Sequence, residues 1–144
     1  MILIVDASVA VKWFVLEPGR PEARRLLGEG HRLVAPDLIV AEVVNAVWKR
    51  LMTDAIERSQ ADDVPRELPH LFAELCPLAS LAQRALAIAQ ELRHPAYDCF
   101  YLALAEAKDA NVVTADRRFA QRLAGTPWQA RTITLWSLSS PRNA

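Results

Sequence analysis

Short apolar runs alternate with amphipathic segments of helical period in the first third of the chain. The apolar, β-branched run Ile2 to Val5 predicts a buried strand, and Ser8 stands where it would cap a following helix. Leu33 to Ala35 predicts a second, shorter strand. Pro36 then opens a long helix in which apolar side chains recur at helical spacing, namely Ile39, Val40, Val43, Val44 and Val47.

The second half of the chain repeats this alternation. Phe72 to Leu78 predicts a strand, and Pro77 within it has no amide hydrogen to donate, so we expect this strand at a sheet edge. Ser80 and Gln83 have the spacing of a capping box and predict the start of a helix. The remaining sequence predicts a helix after Pro95, a buried strand at NVVT, a short helix at DRRFAQRLA and a last strand at RTITLW.

Strands that are separated by helices predict an α/β fold. Right-handed crossovers then give a mainly parallel sheet that is covered by helices on both faces. The 144 residues are the length of one ordinary domain, and no linker or repeat interrupts the pattern. We therefore expect a single domain that spans residues 1–144.

Composition excludes several classes of protein. No apolar run approaches the roughly 20 residues of a membrane span, and the N-terminus lacks the basic region of a signal peptide. The two cysteines, Cys76 and Cys99, are too few for a disulfide framework, and we expect a cytoplasmic protein. The 17 basic and 17 acidic residues cancel, so the overall charge gives no indication of nucleic-acid binding.

Four acids stand near the carboxyl edge of the predicted sheet. Asp6 follows the first strand, and Asp116 lies just past NVVT. Glu42 falls in the second turn of the helix after the second strand, and Asp98 in the first turn of the helix before NVVT, both among apolar residues. Because ligands of parallel α/β sheets bind at the carboxyl ends of the strands, these positions indicate one shared site.

Each acid also has a purely structural explanation. Asp6 and Asp116 are placed to cap helices, Asp98 to interact with a helix dipole, and Glu42 to pair with a basic residue on its own helix. If they are gathered at about 4 Å, however, two carboxylates repel by about 4 kcal/mol at an effective dielectric of about 20. Mg²⁺ or Mn²⁺ removes that cost, because such ions take carboxylate oxygens as ligands. The cluster therefore predicts a divalent-metal site.

Four segments of the chain carry a family resemblance. ILIVDASVAVKWF, APDLIVAEVVNAVWK, HPAYDCFYLALAE and VVTADRRFA resemble, in order and spacing, the motifs of PIN-domain proteins, in particular the VapC-type toxin ribonucleases of toxin–antitoxin pairs. The resemblance implies a three-layer α/β/α sandwich with a mainly parallel central sheet. It also implies a metal-dependent endoribonuclease that acts on RNA, and a homodimer that binds a small antitoxin protein.

The resemblance also assigns roles to particular residues. It implies that the metal-binding and catalytic quartet is Asp6, Glu42, Asp98 and Asp116. Residues expected to support these carboxylates or to contact phosphate are Ser8, Asn45 and Thr114. Arg117, Arg118 and Arg122 follow the same edge, where they are placed either to contact substrate phosphates or to form a charged helix face.

Other interpretations of the sequence differ in class. A catalytically inactive PIN-like module that binds RNA or a partner is the main alternative, and the four intact acids argue against it. A phosphatase with an aspartyl nucleophile is disfavoured, because Ser8 stands where its second acid belongs.

The remaining chemistry-bearing residues receive structural roles. The three histidines, His31, His70 and His94, lie in predicted loops, where we expect solvated rings and no catalytic role. Trp13 is expected in the core. The apolar segment VVNAVWKRLM, which contains Trp48, predicts an exposed patch for a partner.

Overall fold

Five parallel strands form the centre of the computed structural model, which describes residues 1–139. They lie in the order β3-β2-β1-β4-β5, and every neighbouring pair is parallel. Ile4 on the central strand pairs with Val34 on one side and with Val112 on the other. The strands are β1 (Ile2–Val5), β2 (Arg32–Pro36), β3 (Glu74–Cys76), β4 (Asn111–Thr114) and β5 (Thr132–Thr134).

Seven α-helices connect and cover these strands in the described part of the chain. Within residues 1–139, none of them combines the length and the apolar character that a membrane span requires. They are α1 (Ala7–Ala10), α2 (Arg20–Gly28), α3 (Leu38–Met52), α4 (Arg58–Glu67), α5 (Ala82–Leu92), α6 (Ala96–Lys108) and α7 (Arg117–Arg122). Short 3₁₀ turns follow several of these helices and strands.

The strand order produces the three layers. From β1 the chain moves outward through β2 to β3, and it then returns past β1 to β4 and β5. Because crossovers are right-handed, the helices of the outward and return paths cover opposite faces of the sheet. The fold is therefore the expected α/β/α sandwich, and its topological switch point lies between β1 and β4, where ligands bind in such sheets.

The two tryptophans considered from sequence occupy opposite environments. Trp13 is 2% exposed, and its Nε1 donates a hydrogen bond to the carbonyl of Ala23 at 2.8 Å, which confirms its core position. Trp48 on α3 is 54% exposed. Val44 and Met52, one turn before and after it, are also exposed, so the predicted apolar patch is present.

Two expected helix caps do not form. The residue that precedes α1 is Asp6, and the Ser8 hydroxyl instead donates to the Asp6 carboxylate. Ser80 and Gln83 do not form a capping box, because Ser80 lies in a 3₁₀ turn and donates its hydroxyl to the carbonyl of Pro77. In both places the hydroxyl donates to a nearby oxygen, and it does not accept the amide hydrogens at the start of its helix.

Two strands are shorter than the sequence predicts. The segment Phe72 to Leu78 contains only the three residues of β3, which lies at a sheet edge as expected. Pro77 follows it and cannot continue the ladder, because it has no amide hydrogen. In RTITLW only three residues are extended, since the chain then turns so that Trp136 packs over Gly19. A Cβ on Gly19, whose φ is +93°, would lie 2.7 Å from the Trp136 ring.

Candidate active site

Asp6 is a buried carboxylate at the carboxyl end of β1. It is 7% exposed, and its Oδ2 accepts hydrogen bonds from Ser8 Oγ at 2.7 Å and from Thr114 Oγ1 at 2.8 Å. Burial raises the pKa of Asp6 to about 6, the two hydroxyls oppose that rise, and the charge of Asp98 adds to it. The fold thus keeps an acid where its ionised form is disfavoured.

Two hydroxyls join the end of β1 to the end of β4. Thr114 is fully buried, and its Oγ1 accepts the amide hydrogen of Asp116 at 3.0 Å while it donates to Asp6. The Ser8 hydroxyl likewise accepts from the amide of Ala115 at 2.9 Å. Each hydroxyl therefore both orients the Asp6 carboxylate and fixes the backbone that follows β4.

Glu42 on α3 is held by a residue of another helix. The Tyr101 hydroxyl donates to Glu42 Oε1 at 2.7 Å, and Tyr101 itself is 1% exposed. Burial raises the pKa of Glu42 to about 7, Tyr101 opposes the shift, and the charges of Asp6 and Asp98 add to it. The pKa of Tyr101 is raised well above its usual value, mainly by burial, so this hydroxyl stays protonated as a donor.

Asp98 is paired with a histidine one turn before it. His94 Nε2 lies 2.6 Å from Asp98 Oδ2, and the imidazole packs against the Phe119 ring with 5.5 Å between centroids. The side chain of His94 is only 14% exposed. The expectation of a solvated ring at His94 is therefore wrong, because this ring bridges the start of α6 to α7.

Asp116 lies at the same edge but is used differently. Its Oδ1 accepts the amide hydrogen of Phe119 at 3.1 Å, which caps α7, and the residue is exposed. The structure thus brings Asp6, Glu42 and Asp98 into one electrostatically interacting group, in which the charge of Asp98 raises the pKa of Asp6, and the charges of Asp6 and Asp98 raise the pKa of Glu42. The side chain of Asp116 serves as a helix cap beside that group.

Asn45 and Arg117 occupy the margins of the cluster. Asn45 is exposed on α3 and lines a shallow groove of about 270 Å³ together with Ser8, Glu42 and Lys49. Among the hydrogen bonds of residues 1–139 there is none between Asn45 and Glu42. The guanidinium of Arg117 lies 5.0 Å from the centre of the Trp136 ring, at the side of the cluster.

The donor set of the cluster suits a hard divalent cation. Within residues 1–139 no lysine or arginine forms an ion pair with Asp6, Glu42 or Asp98, so their charges lack a basic counterpart other than His94. Carboxylate oxygens of this kind are the preferred ligands of Mg²⁺ and Mn²⁺. In the described residues no three acidic, histidine or cysteine side chains are arranged to hold an ion as they stand. The carboxylates would therefore have to move closer together to share one.

Sequence reasoning missed two members of the site. Tyr101 lies three residues after Asp98 and His94 four residues before it, so both stand within one helical turn of that acid. That spacing was a usable signal for His94. Nothing in the sequence indicates that the Tyr101 hydroxyl reaches across to Glu42 on α3.

Comparison with known proteins places this geometry in a family. The PIN-domain family model matches residues 3–123. Ribonuclease VapC3 of Pyrobaculum aerophilum is 31% identical over 85% of this chain and 95% of its own length. Ribonuclease VapC12 of Mycobacterium tuberculosis is 31% identical over 83% of this chain and 91% of its own length.

A solved structure shows the same fold. A chain of a toxin–antitoxin complex from Klebsiella pneumoniae superposes with a TM-score of 0.66 at 20% identity, over 92% of this chain and 97% of the other. The family model covers most of the chain, and two relatives are 31% identical over more than four fifths of it. This chain belongs to the PIN-domain family.

Proposed function

We propose that the protein is a divalent-metal-dependent endoribonuclease that acts in the cytoplasm as the toxin of a toxin–antitoxin pair. The observation that carries this proposal is the group of three carboxylates, Asp6, Glu42 and Asp98, which meet at the switch point without a lysine or arginine partner. Two proteins that are similar to this chain over most of its length are named ribonucleases, which supports RNA as the substrate class.

In the proposed enzyme, Asp6 and Asp98 hold the principal ion, and Glu42 completes the site or orients the attacking water. Asp116 binds a second ion or its water shell through the carboxylate that also caps α7. When bound, Mg²⁺ or Mn²⁺ stabilises charge on the phosphate oxygens and makes a water nucleophilic at neutral pH.

The neighbouring residues keep these carboxylates in position. Ser8 and Thr114 fix the rotamer of Asp6 by donating to a single oxygen, which leaves its Oδ1 for a cation. Tyr101 holds Glu42, and His94 holds Asp98, each at hydrogen-bond distance. Partners of this kind orient ligands and raise metal affinity in other proteins. Asn45 and Arg117 lie at the margins, where we place contacts with substrate phosphates.

The proposed partners are an antitoxin and a second copy of the chain. Val44, Trp48 and Met52 form an exposed apolar stripe along α3, with exposed fractions of 38, 54 and 59%. An apolar stripe of this kind is typical of a surface that binds protein. The Klebsiella chain comes from a toxin–antitoxin complex, which favours an antitoxin as one occupant.

The test is cleavage of total RNA by the purified protein. We expect cleavage with Mg²⁺ or Mn²⁺ and none with EDTA. Asp98→Asn should abolish it, while Asp62→Asn, which changes an exposed acid on α4, should cut like the wild type. Equal cleavage by Asp98→Asn would refute the proposed site. No cleavage by the wild type with either ion would instead favour an inactive binding module.

A further inference from the structure

A hollow of about 580 Å³ lies beside the acid cluster, between the start of α6 and α7. The buried ring of Phe119 forms part of its base. The other residues that line it are His94, Pro95, Asp116, Arg118, Gln121 and Arg122. The volume falls in the range of about 300–1,000 Å³ that small-molecule pockets occupy.

The hollow and the acid cluster share a wall. His94 lines the hollow with its ring and contacts Asp98 at 2.6 Å through Nε2. Asp116 lines the hollow as well, and its amide donates to Thr114, which in turn donates to Asp6. A molecule in the hollow would therefore be separated from Asp98 by the side chain of His94.

The walls combine positive charge, an amide and rigid ring surfaces. Arg118 and Arg122 are exposed, and none of the ion pairs within residues 1–139 involves either of them. Arg122 is anchored, because its Nη2 donates to the carbonyl of Arg93 at 2.9 Å. Gln121 offers both donors and an acceptor. Its amide can thus pair with a ligand edge that carries both kinds of group.

Two rigid rings form part of the wall of the hollow. Pro95 has a fixed ring, and the imidazole of His94 is fixed between Asp98 and Phe119. Rigid rings and guanidinium planes are the surfaces on which unstacked bases lie in complexes with single-stranded RNA. The carboxylate of Asp116 disfavours a simple anion, because this wall of the hollow repels negative charge. A nucleotide avoids that repulsion, because its base is uncharged and its phosphate can lie at the arginines.

We infer that this hollow binds one unpaired nucleotide of an RNA strand, adjacent to the phosphodiester that the acid cluster cuts. This inference rests on the proposed ribonuclease function. Arg118 contacts the phosphate of that nucleotide, and Gln121 contacts the edge of its base. A base inside a duplex cannot enter, because its edge is paired and its faces are stacked.

The first test measures binding without cleavage. Fluorescein-labelled oligo(A), oligo(C) and oligo(U) dodecamers are titrated with the full chain in EDTA, and anisotropy gives Kd. Arg118→Ala should weaken binding of all three by about tenfold and lower the salt slope by about one. Gln121→Ala should change the ratio of Kd values among the three. Arg58→Ala and Gln83→Ala, which remove an exposed arginine and glutamine elsewhere, should do neither.

The second test locates the contact. Oligo(U) that carries 4-thiouridine is crosslinked to the protein, and mass spectrometry identifies the modified peptides. We expect crosslinks to the segments that contain Pro95 and Gln121. Crosslinks only at other segments overturn the inference, and so does a wild type that does not bind. Equal losses of affinity in Arg118→Ala and Arg58→Ala, or unchanged Kd ratios in Gln121→Ala, overturn it as well. All these results are independent of cleavage, so failure of the proposed function is detected separately by the RNA assay.

Discussion

The Asp6 carboxylate should make the stability of the metal-free protein depend on pH. Burial raises its pKa from 3.8 to about 6 in the folded chain. Between those values the folded chain binds a proton that the unfolded chain has released, so protonation stabilises the fold. The contribution of Asp6 is therefore greatest in acid and is lost as the pH rises through about 6.

The size of the effect follows from the shift. At about pH 5 the folded-state pKa lies one unit above the pH, and the group contributes about 1.4 kcal/mol relative to pH 8. For a chain of 144 residues this equals about 4–5 °C in Tm. Asp6 is only 7% exposed, so solvent screening removes little of this energy. Glu42, whose pKa rises from 4.5 to about 7, contributes in the same direction over this pH range.

The assay compares urea unfolding of the wild type and Asp6→Asn in EDTA at these two pH values. The amide keeps an acceptor oxygen for Ser8 and Thr114, so any constant cost of the substitution cancels between the two pH values. The gain in stability on acidification should be at least about 1.4 kcal/mol smaller in Asp6→Asn. Asp62→Asn should match the wild type. Equal pH dependence of Asp6→Asn and the wild type would refute the argument from burial.

Other substitutions test the supporting residues and the exposed stripe. Thr114→Val should lower the free energy of unfolding by about 1–3 kcal/mol, because the Asp6 carboxylate loses a buried donor; a loss below about 0.5 kcal/mol in urea would contradict this. Tyr101→Phe should lower the free energy of unfolding by about 1 kcal/mol and weaken Mn²⁺ binding about tenfold in calorimetry. Tyr97→Phe, which changes an exposed ring, should alter neither quantity. Trp48→Glu should reduce self-association in light scattering without changing the circular dichroism spectrum; an unchanged oligomer would exclude that stripe as the dimer interface.

Much of the fold could be predicted because burial on both faces leaves continuous apolar runs. Ile2 to Val5 and NVVT are such runs, and the structure has both strands at the predicted positions. The ends of weaker strands could not be predicted, because they depend on contacts from distant residues. RTITLW, for example, stops being extended where Trp136 packs over Gly19.

The site was partly predictable for a topological reason. Strand ends in a parallel sheet meet at one edge, so Asp6 and Asp116 could be assigned to that edge from the chain order alone. Whether Asp116 joins the other acids electrostatically or caps α7 depends on its rotamer, which a pattern does not specify. The pairing of Glu42 with Tyr101 depends on how α3 and α6 are placed, and that placement emerges only from packing.

The most direct measurement of the central claim is calorimetric titration of the protein with Mn²⁺ at pH 7 in two buffers of different ionisation enthalpy. If the cluster shares one cation, binding must displace the proton that the raised pKa of Glu42, about 7, lets it hold at this pH, so protons are released. The account predicts this release in the wild type and binding at least about tenfold weaker in Asp98→Asn. Binding without proton release, and with equal affinity in Asp98→Asn, would contradict it.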